Sequence, residues 1–109
     1  MDERDRNLIL EFKNRLPEDI LTHVRRVIAF GSRARGEGGK ESDLDLVILV
    51  DQKTPWVESR IDDVAYQVMW DHDFEPILSI KVLAESHYRQ ALKEGFSFYQ
   101  AVEREGVPL

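Results

Sequence analysis

Two aspartates at alternate positions, Asp43 and Asp45, lead into the apolar run Leu46–Val50, downstream of a Gly31-Ser32 pair. On a strand, residues i and i+2 leave the same face, with the two carboxylates roughly 7 Å apart along the chain. Like charges so placed repel unless a cation sits between them. A hard divalent ion with oxygen ligands, Mg²⁺ or Mn²⁺, is the natural occupant, completed by waters and a substrate's phosphates. Upstream, Val24 to Phe30 reads as a strand ending at Gly31, where a glycine permits the close backbone approach that phosphate binding needs. Ser32 adds a hydroxyl, and Arg33 and Arg35 add guanidinium groups suited to phosphate oxygens. The stretch Phe30 to Val50 therefore reads as a phosphate loop followed by a metal pair. Spacing alone leaves other readings open: the aspartates as a cap or solvated strand-end charges, the arginines as surface charges, and Gly38 and Gly39 as turn residues.

The order Gly-Ser, three residues, Gly, five residues, Ser-Asp-x-Asp-Leu is met by Gly31, Ser32, Gly36, Ser42, Asp43, Asp45 and Leu46. This pattern resembles the signature of the DNA polymerase beta-like nucleotidyltransferase superfamily, and specifically its small MNT-type (minimal nucleotidyltransferase) members. Seven fixed positions between two predicted strands are far more specific than a lone glycine motif. The resemblance implies transfer of a nucleoside monophosphate, with ATP as the expected donor, to a hydroxyl, releasing pyrophosphate. It assigns the metal, and so catalysis, to Asp43 and Asp45. Nucleotide and phosphate contacts fall to Gly31, Ser32, Arg33, Arg35, Gly36 and Ser42. It further implies an antitoxin that modifies a HEPN-type partner, a small helical ribonuclease.

In active members of that family a third carboxylate, from the next strand, ligates the metal that activates the attacking hydroxyl. Here the expected strand Ile77 to Leu83 carries no acid; Ser79 or Lys81 stands at the position, with Glu75 and Glu85 just outside. Two function classes follow: an enzyme that adenylylates a partner protein, and a binding module that keeps the fold and neutralises its partner by contact. A nucleotide sensor is a third.

The elements that must position these residues are legible from periodicity. Asp2 to Leu16 places Leu8, Ile9, Phe12 and Leu16 on one helical stripe, and Pro17 to Thr22 follows as a short helical segment. One helical turn is expected at Ser32 to Arg35. Leu44 to Val50 is apolar apart from Asp45, as for a central strand covered on both faces. Thr54-Pro55 starts a long helix from Trp56 to about Asp71, burying Val57, Ile61, Val64, Ala65 and Val68. After the third strand come a helix Ser86 to Glu94 ending at Gly95, and a last helix to about Glu105 capped by Ser97 with Gln100 three residues on. His23, His72 and His87 are dispersed without ligand spacing, and Phe96, Phe98 and Tyr99 read as core or contact surface. The expected fold is α+β, the nucleotidyltransferase fold, with a small mixed sheet of three to four strands flanked by helices.

With 109 residues and 42% hydrophobic content, one modest core is affordable, so residues 1–109 are expected to form a single domain. The absence of cysteine excludes a disulfide framework and a thiolate metal site. No apolar run has membrane-span length and the start MDERDR is not signal-like, so a cytoplasmic protein without a membrane partner is expected. The net charge of -6 argues against nonspecific nucleic-acid binding. A homo-oligomer stays open.

Overall fold

The computed structural model describes residues 1–39 and 41–109. Helix α1, Glu3–Arg15, starts where the Asp2 side chain accepts the Arg4 amide at 2.7 Å, and acids in its first turn and bases in its last complement the helix dipole. Its buried stripe is Leu8, Ile9 and Phe12, joined by one acid, Asp5. Pro17 ends that run and precedes the single-turn α2, Glu18–Leu21.

Strand β1, Val24–Phe30, is followed by the short helix α3, Gly31–Ala34, and strand β2, Leu44–Val50. Helix α4, Pro55–Asp71, is capped as its sequence predicts: the Thr54 hydroxyl accepts the Val57 amide at 3.2 Å, and the five expected apolar residues are buried. Strand β3, Leu78–Ala84, starts one residue later than expected; Ile77 stays outside, with its carbonyl accepting the Leu44 amide at 2.9 Å. Helices α5, Glu85–Lys93, and α6, Ser97–Glu105, complete the expected order. The α6 cap differs from expectation. Ser97 is already the first helical residue, and the Phe96 carbonyl accepts the Gln100 amide at 3.2 Å, so no capping box forms.

The fourth strand, within the expected three to four but not placed by the sequence, is β4 at Val107–Pro108 on the outer edge of β1, where a proline's missing amide does no harm. The sheet order is β3-β2-β1-β4, with β2 and β3 parallel and the other pairs antiparallel. Alternation along β2 divides the interior in two. Leu44, Leu46, Ile48 and Val50 face α1 and α4 in the larger core, while Val47 and Leu49 meet Ile28, Tyr88 and Val102 in a smaller one under α5 and α6. Each fully buried aliphatic side chain contributes about 1.5–3 kcal/mol, so the larger core dominates. Among the described residues no helix is long and apolar enough to cross a membrane.

Candidate functional site

The register of the sheet assembles the site. Asp45 on β2 is paired with Phe30 on β1 and with Ser79 on β3, so these three side chains share a face at one end of the sheet. That face is the one carrying the smaller core, and Lys81, opposite Val47, lies on it one step further along. Asp43, exposed, immediately precedes the strand, two residues before Asp45.

Asp45 is half-buried, and its carboxyl is raised above the ordinary carboxylate value, first by burial and then by the neighbouring Asp43 charge; the Ser79 hydroxyl opposes the rise as a hydrogen-bond donor. Two anionic oxygen groups are therefore held together, and among the described residues neither forms an ion pair. This donor set fits a hard divalent cation. Among the described residues, no group of three or more histidine, aspartate or glutamate side chains gathers to hold a metal.

Gly31 closes the site from behind. Its φ of +81° is in the left-handed region, and a Cβ at this position would lie 2.6 Å from Asp45 Oδ2. Only glycine lets the backbone turn here and pass so close to the carboxylate. Gly36 also has a left-handed φ, +75°, with open space around it. The loop then folds back on Ser32, whose carbonyl accepts the amides of Glu37 and Gly38 at 2.9 and 3.2 Å. Gly38 is more than the turn residue the sequence suggested. A Cβ there would meet Ser42 Oγ at 2.5 Å, Arg33 Cγ at 2.7 Å and Ser32 Oγ at 3.0 Å, so these three side chains crowd against it. Gly39 has open space around it, as a simple turn residue does. The Ser42 hydroxyl donates to the Gly39 carbonyl at 2.7 Å.

The two arginines part company. Arg33 was expected at a phosphate, but its guanidinium is taken up inside the fold: Nε and Nη2 donate to the two carboxylate oxygens of Asp5 at 3.0 and 2.9 Å, and Nη1 donates to the carbonyls of Gly39 and Ser42. This bidentate pair ties the loop after Gly31 to α1. Sequence reasoning passed over Asp5, although an acid three residues before Leu8 on a buried stripe signals a buried partner. Arg35 stays exposed and pairs with Glu37 at 3.0 Å. It also borders a cleft of about 130 Å³ beside Gly31, walled by Phe30, Phe98, Ala101 and Glu105. The Phe30 and Phe98 rings meet edge to face at 5.6 Å, and the Lys81 ammonium lies 4.8 Å above the Phe98 ring.

Of the two acids just outside the third strand, Glu85 is kept from the Asp45 end by topology. It follows the far end of β3, six residues beyond Ser79 and so about 20 Å away along the strand, and it pairs with Arg89 at 3.1 Å. Glu75 lies before β3, lining a cleft with Arg4 and Arg33 on the α1 side of the loop. The histidines serve local contacts: His23 with Asp51, His72 with Glu11 and His87 with Tyr99, at 2.9, 3.1 and 3.2 Å.

A family model described as "Nucleotidyltransferase domain" matches residues 6–98. A Methanocaldococcus jannaschii protein named "Putative protein adenylyltransferase MJ0141" is 34% identical over 103 residues, covering 92% of this chain and 93% of that protein. A crystal structure described as "a putative nucleotidyltransferase from Sulfolobus solfataricus" superposes with a TM-score of 0.53 at 17% identity, covering 97% of this chain and 82% of that one, a likeness of fold.

Proposed function

We propose that this chain, which belongs to the nucleotidyltransferase domain family, transfers AMP, or another nucleoside monophosphate, from a nucleoside triphosphate to a hydroxyl on a partner protein. The observation that supports the reading best is the close approach of the Gly31 turn to Asp45, where an added Cβ would meet Asp45 Oδ2 at 2.6 Å. In the transfer, the acceptor oxygen bonds to the α-phosphorus, the bond from that phosphorus to the bridging oxygen breaks, pyrophosphate leaves with the electron pair, and the acceptor proton passes to solvent. Asp43 and Asp45 would hold a Mg²⁺ or Mn²⁺ ion, which when bound neutralises charge on the phosphate oxygens. Gly31, Ser32, Gly36 and Ser42 shape the turn that receives the β and γ phosphates, and Arg35 stands at its open edge. Lys81 adds a positive charge on the face where the substrate lies. Positioning and electrostatics do most of the work in such a reaction.

A protein acceptor is supported by the name of the Methanocaldococcus jannaschii relative. The MNT resemblance narrows it to a HEPN-type toxin, with this chain as its antitoxin. A second reading is favoured by the pairing of Ser79 with Asp45. A serine hydroxyl is a weak neutral ligand and does not replace an aspartate's charge, so the chain would bind nucleotide and partner with slow or no turnover.

The test is incubation of the chain with labelled ATP, Mg²⁺ and a HEPN-type partner, comparing wild type, Asp45→Asn and Ser79→Asp. Transfer of label by wild type, lost in Asp45→Asn and accelerated in Ser79→Asp, is the expected outcome. A stable complex that silences the partner without label supports contact neutralisation. Neither label nor complex refutes both readings.

A further inference from the structure

Helix α4 buries one face in the larger core and carries on the other a row of aromatic rings. Tyr66 and Trp70 are 53% and 61% exposed, one helical turn apart. Phe74, just beyond the helix, joins them. The three rings pack edge to face at centroid separations of 6.1, 5.7 and 5.3 Å. Phe74 reaches this place through an unfavourable backbone: Asp73 and Phe74 both have φ of +57°, the left-handed region that side-chain-bearing residues avoid. The Phe74 amide donates to the Met69 carbonyl at 2.8 Å, which fixes the turn. A large aromatic cluster held in place at the surface is a feature of binding sites rather than of ordinary solvated helices.

The surroundings state what would cover it. Asp62 and Asp63 lie one turn before Tyr66, and Asp73 lies between Trp70 and Phe74 in sequence. Glu58 and Asp71 have basic partners in Lys53 and Arg15, but among the described residues Asp62, Asp63 and Asp73 form no ion pair. The Asp62 carboxyl is raised by burial and by the charges of Glu58 and Asp63, so this rim is already crowded with negative charge. A second copy of the patch would bring two acidic rims together, and nucleic acid or an anionic lipid surface would be repelled.

We propose that Tyr66, Trp70 and Phe74 form a docking surface for a basic amphipathic segment of a partner protein, whose apolar side chains cover the rings while its lysines or arginines meet Asp62, Asp63 and Asp73. The surface is on the α4 side of the sheet, opposite the face of Asp45 and Ser79. A docked segment therefore leaves the nucleotide site open, and the inference does not rest on the transfer reading.

The test uses the full chain and two labelled synthetic amphipathic helices with the same leucine stripe, one flanked by lysines and one by glutamates, read by fluorescence anisotropy. Saturable binding of the lysine helix, about tenfold or more tighter than the glutamate helix and weakened by added salt, is expected. Trp70→Ala should weaken it about tenfold, Tyr66→Ala should act in the same direction, and Asp62→Lys with Asp63→Lys should reverse the charge preference. Circular-dichroism melts identify any variant that has lost its fold, and the charge-reversal pair keeps the test open if an aromatic variant does. Equal binding of both helices, no saturable binding of either, or unchanged affinity in folded variants would overturn the proposal. So would dimerisation in sedimentation that Trp70→Ala abolishes, or tighter binding of anionic vesicles or RNA than of the lysine helix.

Discussion

Replacing Asp5 by alanine should loosen the loop after Gly31 by freeing Arg33 from its buried partner, without altering Asp43 or Asp45. Asp5 receives two hydrogen bonds from Arg33, and the two side chains are only 4% and 12% exposed. Removing one member of a buried pair costs about 3–5 kcal/mol, because the surviving charge is left uncompensated. Arg33 keeps its bonds to the Gly39 and Ser42 carbonyls and a small exposed fringe, which moves the expected loss to the low end, about 3 kcal/mol. Against a total stability of roughly 5–15 kcal/mol that is a large share, and it corresponds to a drop in Tm of roughly 10–20 °C. Urea denaturation of wild type, Asp5→Ala, Arg33→Met and the double variant forms the cycle. The double variant should be less destabilised than the sum of the singles, because it leaves no orphaned charge. A loss below about 0.5 kcal/mol in Asp5→Ala, or strict additivity, would show that the pair does not hold the loop.

Gly31→Ala should cost about 1–2 kcal/mol for the left-handed backbone and displace the Asp45 carboxylate; calorimetry should then show weakened Mg-ATP binding, and unchanged affinity would sink the packing argument. Asp45→Asn bears on pH. An acid whose folded value is raised costs stability as pH climbs through the ordinary carboxylate range to that raised value, and the cost is full above it. The variant should therefore melt a few degrees higher than wild type at neutral pH, with the gain fading in acid and shrinking when Mg²⁺ is added; an equal gain in acid would contradict this. Glu103 is the opposite case, its carboxyl lowered first by the Tyr88 hydroxyl at 2.7 Å and then by Arg26. Its contribution is present above the ordinary carboxylate range and lost as pH falls through the lowered value. Tyr88→Phe should cost about 1 kcal/mol at neutral pH and reduce that acid sensitivity, and a variant as acid-sensitive as wild type would argue against the assignment.

What could be read from the chain followed from local signals. The bounds of β1 and β2 fall where apolar runs meet Phe30-Gly31 and Asp43, and α4 begins at the Thr54-Pro55 cap because both residues act on their own first turn. Likewise the pairing of Ser79 with Asp45 follows once two parallel strands share a register. What was missed depends on distant partners. β4 is two residues long with a proline, and nothing local marks Val107 as a strand; the chain takes that edge because Gly106 fits against Ile28. Asp5 stands on the buried stripe of α1 and so implies a partner, but Arg33 is 28 residues away and nothing local identifies it as that partner. The capping box at Ser97 failed because the turn at Gly95, with φ +81°, starts α6 one residue early.

The unequal covering of the sheet sets an order of opening. Asp45 and Ser79 lie on the thinly covered side, where α5 and α6 rest on a small cluster, while the opposite side is sealed by α1 and α4. Segments with few buried apolar contacts open at lower free energy than the global transition. Helices α5 and α6, tied to the sheet through β3 and β4, should therefore open before the central strands, and amide exchange should run faster in them than in β2. In the transfer proposed for this chain, that opening would widen the cleft by Phe30 and Phe98 while β2 stays paired in the sheet.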